Sequence, residues 1–507
     1  MKPPALAPLE GSQRTLGTLA LSLATFMTVL DSSIANVSLP AIAGDLGVSP
    51  AQGTWVITSF GVSNAIAVPL TGWLAQRFGP VRLFTASVLL FVLSSWLCGL
   101  APSIQALVAA RVLQGLVAGP LIPLSQALLL SSYPPALAGT AMALWSMTTL
   151  VAPVMGPLLG GWITDHVSWP WIFYINVPVG LLSAALAWSI YHRRDPGPRD
   201  VPLDRVGLAL VVLWVGALQL MLDRGKERDW FESTEIVVLA VVAAVGFGYF
   251  LAWSLTTPRP IVDLRHFARR NFSVGALALA VAYGLFFGNV VLLPLWLQQW
   301  MGYTATWAGL ATAPVGLLAI LLSPWVGRNV GRVDPRAMAS VAFAGFAVVL
   351  WMRSRFDTDV AYIDVLIPTL LQGAAMAFFF IPLQSIVFAG VPPDQLPSAS
   401  GVSNFARITA GAVGTSLFGT LWEQRSALHH AQLSEAVQQG APGTEAMLER
   451  LRAAGFDGEV ALAMMERELQ RQAWTLGVLD CYLLSAGLFV VLLGVVWLAR
   501  RPPPRTG

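Results

Sequence analysis

Charge is what this sequence has least of. Only 11% of its 507 residues are Asp, Glu, Lys or Arg and 56% are hydrophobic, whereas an ordinary soluble protein carries roughly 25% charged residues. That deficit excludes a soluble enzyme. The net charge of +3 is spread over connecting segments and forms no basic patch, which excludes a nucleic-acid binder. Cysteine is nearly missing: Cys98 and Cys481 both fall within apolar stretches, where the expected role is packing rather than a disulfide or a metal site. His429-His430 has no Cys or third His nearby, so it reads as solvated surface and no metal is expected. There is no H-E-x-x-H and no G-x-S-x-G with a membrane His, so an intramembrane hydrolase has no catalytic set. Lys226 follows Gly225, but position 220 is Leu where a phosphate loop needs Gly, which removes an ATP-driven pump. No enzyme activity and no bound cofactor are expected.

What is present is apolar sequence in long runs. Val206 to Leu222, Ile236 to Leu255 and Tyr482 to Leu498 each proceed without a charge. A bilayer core about 30 Å thick takes about 20 such residues per helical crossing, and helices are required because lipid leaves the backbone no other partner. The pattern predicts fourteen spans, near 16–38, 52–74, 83–101, 105–127, 138–162, 171–191, 206–222, 236–255, 273–299, 305–325, 337–352, 361–388, 398–421 and 477–499. The first apolar run outlasts a signal-peptide core and has no clear cleavage site, so it reads as an uncleaved span. With the N-terminus inside, eighteen of the thirty basic residues fall in inner loops and tails, which places both termini in the cytoplasm. The segment from Trp422 to Ala473 is the one large polar insertion. Its pattern is helical and amphipathic, and it belongs on the outer side, in a periplasm where the cell has one.

The chain also repeats itself. Leu113-Gln114-Gly115 recurs as Leu371-Gln372-Gly373, Ile122-Pro123-Leu124 as Ile381-Pro382-Leu383, and Pro134-Pro135 as Pro392-Pro393, at offsets of 258 or 259. Three matches in register indicate two homologous halves. The fold class expected is an all-α polytopic membrane protein with a six-helix bundle over 1–192, a linker with two extra spans over 193–270, and a second six-helix bundle over 271–507 that includes an extracytoplasmic loop over 422–476. Two such halves suit alternating access about a site near the bilayer midplane.

Few ionisable residues lie well inside the spans: Asp31, Arg111 and Arg407, with Asp364 and Asp480 nearer span ends, where structural pairing or snorkelling accounts for them. A charge at a span centre costs at least a few kcal/mol, so each of the first three is a functional candidate. Asp31 sits in a polar cluster with Ser32, Ser33 and Asn36. Burial disfavours the charged form of a carboxyl group and a nearby guanidinium favours it. An acid whose partner moves during a cycle can therefore load and release a proton, and Arg111 is the candidate partner. Its counterpart in the second half is Thr369, and that of Arg407 is Thr149, so each charge belongs to one half only. For Arg407, a substrate or headgroup contact and a structural role stay equally open. Pro153, Gly156, Pro157, Gly160 and Gly161 cluster in the fifth span; they suit either a gating face against the other half or ordinary tight packing. Apolar cavity candidates include Trp145, Met147, Trp296 and the run Phe378-Phe379-Phe380.

These motifs resemble a known family. Leu30 through Pro40 resembles the first-span motif of EmrB-like fourteen-span drug:proton antiporters of the major facilitator superfamily. Arg111-Val112-Leu113-Gln114-Gly115 resembles the superfamily's fourth-span motif, and Pro153 through Gly161 its antiporter motif. The likeness extends through Ala118 to Gln126, Leu222 to Glu227 and the long outer segment, and covers nearly the whole chain. It implies export of hydrophobic, drug-like compounds against proton influx across a bacterial inner membrane, powered by the proton gradient, with an EmrA-like periplasmic adaptor and a TolC-like outer-membrane channel as partners. By the same resemblance Asp31 and Arg111 carry proton coupling and the loop with Gly72, Arg77, Gly79 and Arg82 matches the superfamily's gating loop; Asn36, Gln126 and Arg407 are further cavity candidates. That loop departs from the family at Gln76, where an Asp is usual, and at Pro80-Val81, where basic residues are usual. The departures put a charge relay there in question while leaving Arg77 and Arg82 as contacts to the other half. The competing reading is an exporter dedicated to one metabolite or siderophore.

Overall fold

Because hydrocarbon cannot hydrogen-bond a peptide group, the chain satisfies its backbone within helices, and no strand occurs among the described residues. The structure is a computed structural model that describes residues 8–134, 138–195, 197–198, 202–225, 228–258, 260–330, 332–392, 395–437, 442–456 and 458–501. The long helices are α1 (Gly11–Asp45), α2 (Trp55–Phe78), α3 (Pro80–Gly99), α4 (Ile104–Leu129), α5 (Ala138–His166), α6 (Trp171–Arg194), α7 (Arg205–Arg224), α8 (Thr234–Thr256), α9 (Arg270–Gln299), α10 (Ala305–Asn329), α11 (Pro335–Arg353), α12 (Tyr362–Val387) and α13 (Leu396–Ala436). A short α14 (Pro442–Ala453) and a long α15 (Glu459–Val496) complete the chain. Among the described residues, 12 helices are long and apolar enough to cross a membrane. The remaining two expected spans coincide with α5 and α13. The latter is rich in Gly, Ser and Thr and packs among α9, α15 and α2, so these residues face protein rather than lipid.

Helices α1 to α6 form one bundle and α9 to α13 with α15 the other, meeting along α5 against α10, α2 against α13 and α1 against α9. The inserted pair α7–α8 packs on itself and leans through α7 on α13 and α2. Only 22% of the α8 apolar window is buried, against 61% for α9, so α8 lies at the periphery. Large apolar side chains such as Leu93, Trp96, Val241, Val245, Leu321 and Val491 point outward, the arrangement a lipid-facing surface requires.

The first and last described residues lie at the same end of the bundle. Leu9 N–H donates to Ser132 O beyond α4, Arg336 at the start of α11 donates to Ala499 O, and Asn271 at the start of α9 exchanges hydrogen bonds with Arg500. At the opposite end α13 and α15 run on past their neighbours and, with α14, form a helical hairpin. Trp422 and Trp474 meet edge to face at 5.0 Å, and Trp300 stacks on Trp474 at 5.2 Å. Asp480 accepts from His429 at 2.9 Å and pairs with Arg425 at 3.4 Å, while His430 pairs with Glu466 at 2.9 Å and holds that carboxyl below its ordinary range. His429 and His430 thus tie the arms of the hairpin together instead of being merely solvated. Among the described residues no group of His, Cys, Asp or Glu could hold a metal.

The two halves approach most closely at the hairpin end, on residues without side chains. A Cβ on Gly161 of α5 would strike Ala305 O of the other half, and one on Gly309 of α10 would strike Pro157 O. Gly156 and Gly160 instead admit Ser33 and Ile34 of α1, in their own half. Two bonds pin the same end: Gln298 Nε2 donates to Val37 O at 2.9 Å and Thr306 N–H to Asp165 Oδ2 at 2.6 Å. Gly309→Ala is therefore expected to lower the thermal unfolding midpoint of the purified protein, by a cost of about 1–3 kcal/mol. Gly327→Ala, on the same helix with nothing within 4 Å, serves as the control. Equal midpoints for the two variants would rule out the close contact.

Candidate functional site

Asp31 lies in mid-course of α1 and Arg111 on α4; their side chains are 0% and 1% exposed and Arg111 Nη1 reaches Asp31 Oδ2 at 2.5 Å. The expected partnership is thus present as a buried ion pair. Gln114 is one turn on from Arg111, which places both on one face of α4. It donates to Asp31 Oδ1 at 3.0 Å and to Ser95 Oγ of α3 at 2.6 Å, while its Oε1 accepts from Arg111 at 2.5 Å. Asn176 of α6 adds a third donor to Asp31, at 2.8 Å. Arg111 Nε donates to Val56 O at 2.9 Å, and its guanidinium lies over the Phe60 ring at 4.3 Å. α4 comes this near α2 because Gly115 has no side chain: a Cβ there would meet Phe60 O. Five helices, α1, α2, α3, α4 and α6, therefore contribute to the polar cluster around one carboxylate.

The second half carries a matching cluster with different chemistry. Adding 258 to Asp31, Ser95, Arg111 and Gln114 gives Asn289, Arg353, Thr369 and Gln372. Asn289 Nδ2 donates to Ser485 Oγ of α15 at 2.9 Å, and Arg353 Nη2 donates to Gln372 Oε1 at 2.7 Å and Thr369 Oγ1 at 3.1 Å. Gly373, the twin of Gly115, likewise abuts a backbone oxygen, that of Val315 on α10. The cation has moved from the fourth helix of its half to the third, and the acid has become an amide.

Between the clusters lies a cavity of about 320 Å³ lined from both halves, chiefly by apolar groups such as Ile57, Phe60, Tyr283, Phe286, Phe287 and Met376. Of the cavity candidates, Asn36, Trp145, Phe379 and Arg407 line it, as do Phe380 and Pro157. Trp145 Nε1 donates to Ser125 Oγ at 3.1 Å, and Arg407 lies over Tyr283 at 4.6 Å and Phe380 at 5.2 Å. Trp296 does not line it: fully buried, it stacks on Phe356 and donates to Thr475 on α15. Gln126 and Phe378 are also off the lining, Phe378 lying against Trp325. The side chains of Met147 and Pro153 lie outside the described residues.

The loop between α2 and α3 turns at Gly79, whose φ of 90° suits glycine. A Cβ there would collide with Asp195, which accepts from Arg82 N–H at 3.1 Å and lies 3.7 Å from Arg82 Nε. Arg82 is thus held by the end of α6 in its own half, not by the other half. Gly72 is exposed with open space around it and Arg77 is half-buried.

Two functional candidates escaped the sequence reading for the same reason. The span expected at 337–352 stops one residue short of Arg353, and that at 206–222 stops one short of Asp223, because in sequence alone a charge marks the end of an apolar run. Both helices continue through the charge. Asp223 of α7 accepts from Thr58 of α2 at 3.1 Å, from Ser416 of α13 at 2.5 Å and from Gln219 at 2.9 Å, so it fastens the inserted pair to both halves. The 258-residue offset was the signal that could have exposed Arg353, since it maps Ser95 onto it.

Arg111→Gln leaves a buried carboxylate without its cation and is expected to cost roughly 3–5 kcal/mol of stability. Asp31→Asn costs less, since Val56 O, Gln114 and the Phe60 ring still hold Arg111. The double variant should recover part of the Arg111→Gln loss in thermal unfolding of the purified protein. Losses that simply add would show that the two residues are not one electrostatic unit.

The sequence profile of the Major Facilitator Superfamily matches residues 21–415. The chain is 50% identical over 496 residues to the multidrug export protein EmrB of Haemophilus influenzae, covering 98% of this chain and 97% of that one. It is 49% identical to EmrB of Escherichia coli with the same coverage, and 47% identical over 495 residues to the fatty acid resistance protein FarB of Neisseria gonorrhoeae, covering 98% of each. Among solved structures, it resembles an inward-facing bacterial homologue of the human lysosomal transporter Spinster, with a TM-score of 0.61 at 17% identity over 97% of this chain and all of that one. It also resembles an auto-inhibited POT family peptide transporter, with a TM-score of 0.62 at 15% identity over 98% and 99% of the two chains. These two likenesses speak to the fold alone. With two helical halves around a central cavity, many apolar helices and full-length relatives of this kind, the chain is a multi-pass membrane protein that belongs to the Major Facilitator Superfamily.

Proposed function

We propose that this protein is a proton-driven exporter of hydrophobic, drug-like compounds. The buried Asp31–Arg111 pair at the edge of an apolar cavity is the observation that carries the reading. Export is supported by full-length likeness to EmrB proteins, and the broad apolar lining suits substrates held by area rather than by a fixed hydrogen-bond pattern.

In this reading the cycle starts with Asp31 ionised, in the contacts it makes with Arg111, Gln114 and Asn176. Protonating Asp31 removes the charge that Arg111 answers and frees the guanidinium toward the cavity that it lines. Substrate arrival or rocking of the halves that draws Arg111 back to Asp31 expels the proton. Loading and release on opposite sides of the membrane couple the proton gradient to export without a bound cofactor. Everted vesicles carrying Asp31→Asn, compared at equal amounts of membrane-inserted protein, are expected to lose export driven by an imposed pH gradient. Export that persisted with pH dependence would remove Asp31 from coupling. A panel of unrelated apolar drugs tests breadth, since resistance to a single compound would favour a dedicated exporter.

The setting in this reading is a bacterial inner membrane with both termini cytoplasmic, which puts Arg193, Arg194, Arg269, Arg270, Arg336 and Arg500 on the inner face. The hairpin then projects into the periplasm and docks an EmrA-like adaptor that leads to a TolC-like outer-membrane channel. Exposed apolar residues on the hairpin, among them Phe456, Val460, Leu462 and Met464, support a docking role, because they lie beyond the bundle. Deleting 430–465 is expected to abolish co-purification with the adaptor. Retained co-purification would place the contact elsewhere.

A further inference from the structure

The central cavity has a charge imbalance that proton coupling leaves unexplained. Among the described residues three guanidinium groups line it, those of Arg111, Arg353 and Arg407, and no carboxylate does. Arg111 is answered by Asp31. Arg353 and Arg407 make no ion pair among the described residues. Arg353 is 2% exposed, both of its hydrogen bonds come from Nη2, and its Nε is buried without a partner. Arg407 donates from Nη2 to Asn404 Oδ1 at 3.0 Å, and its Nε is also buried without a partner. A guanidinium carries five N–H donors, so each group has donors to offer. A buried cation left without a counter-charge is costly, and a structural purpose alone would be served by a partner acid. None is supplied at the position twinned with Asp31, where the residue is Asn289 with an unpartnered Oδ1.

We propose that Arg353, with Arg407, forms an anion subsite in the cavity that takes the carboxylate of an amphipathic organic acid, whose apolar body lies along Tyr283, Phe286, Phe287 and Phe380. The ligand itself then supplies the missing counter-charge. The fork geometry of a guanidinium matches a carboxylate, and the aromatic lining beside it accommodates the apolar remainder. The two halves thus divide the work, proton on Asp31 in the first and anion on Arg353 in the second. This assignment rests on the exporter reading for its purpose but not for its test.

The probes are 1-pyrenebutyrate and its neutral amide, titrated by fluorescence against the purified full-length protein at neutral pH. Wild type is expected to bind the carboxylate roughly tenfold or more tightly than the amide, the worth of one charge-assisted hydrogen bond. Arg353→Gln should collapse that ratio toward one, Arg353→Lys should keep much of it, and Arg407→Gln should reduce it. A wild type that binds amide and carboxylate equally overturns the proposal without any variant, as does a ratio unchanged in Arg353→Gln. Carboxylate preference in a protein whose vesicles move no compound would support the subsite while overturning the exporter reading.

Discussion

A charge placed among membrane-spanning helices has only the partners that the protein supplies, and much of this structure is arranged around that constraint. Asp31 draws three donors from two helices, and Arg111 is held by a carboxylate, an amide, a backbone carbonyl and an aromatic face. A pair so completely satisfied is stable as it stands, yet its two members sit on different helices and Arg111 reaches the cavity. Any motion that separates α1 from α4 changes the electrostatics of both groups at once. In the proposed function, that is how a proton is exchanged for a conformational change.

The second constraint is how near the helices must come for such contacts to form. Leu-Gln-Gly occurs once in each half, and each Gly abuts a backbone oxygen of a neighbouring helix. The repeat is therefore a repeat of close approach as much as of sequence. Within the halves, Gly115 and Gly373 hold the polar clusters together. Between them, Gly161 and Gly309 let α5 and α10 meet backbone to backbone at the hairpin end. The inserted pair joins this plan through Asp223, which accepts hydrogen bonds from α2 and α13 together and so fastens the pair to both halves.

Divergence between the twin clusters explains more than their likeness. Both keep the Gln and the Gly, but the first half has an acid paired with a cation while the second has an amide and a cation that makes no ion pair among the described residues. Identical halves could do no more than bind the same thing twice. Exchanging Asp for Asn and moving the Arg by one helix gives the halves unlike electrostatic tasks on one scaffold.

How much was legible in advance depended on the range of the interaction concerned. Charge scarcity, run length and the 258-residue offset determined the helical class, the span positions and the pairing of halves, because hydrophobicity and periodicity are local properties of a chain in lipid. Asp31 and Arg111 stood out for the same reason, being charges within apolar runs. Helix ends were less legible, since in sequence alone a charge closes an apolar run; Arg353 and Asp223 show that helices continue where the tertiary structure offers those charges partners. Only packing decided that Trp296 faces α15 instead of the cavity, that Arg82 answers Asp195 in its own half, and that Arg353 meets no acid among the described residues. Each of those facts depends on which residues from distant segments arrive within a few ångströms, and no local pattern encodes that.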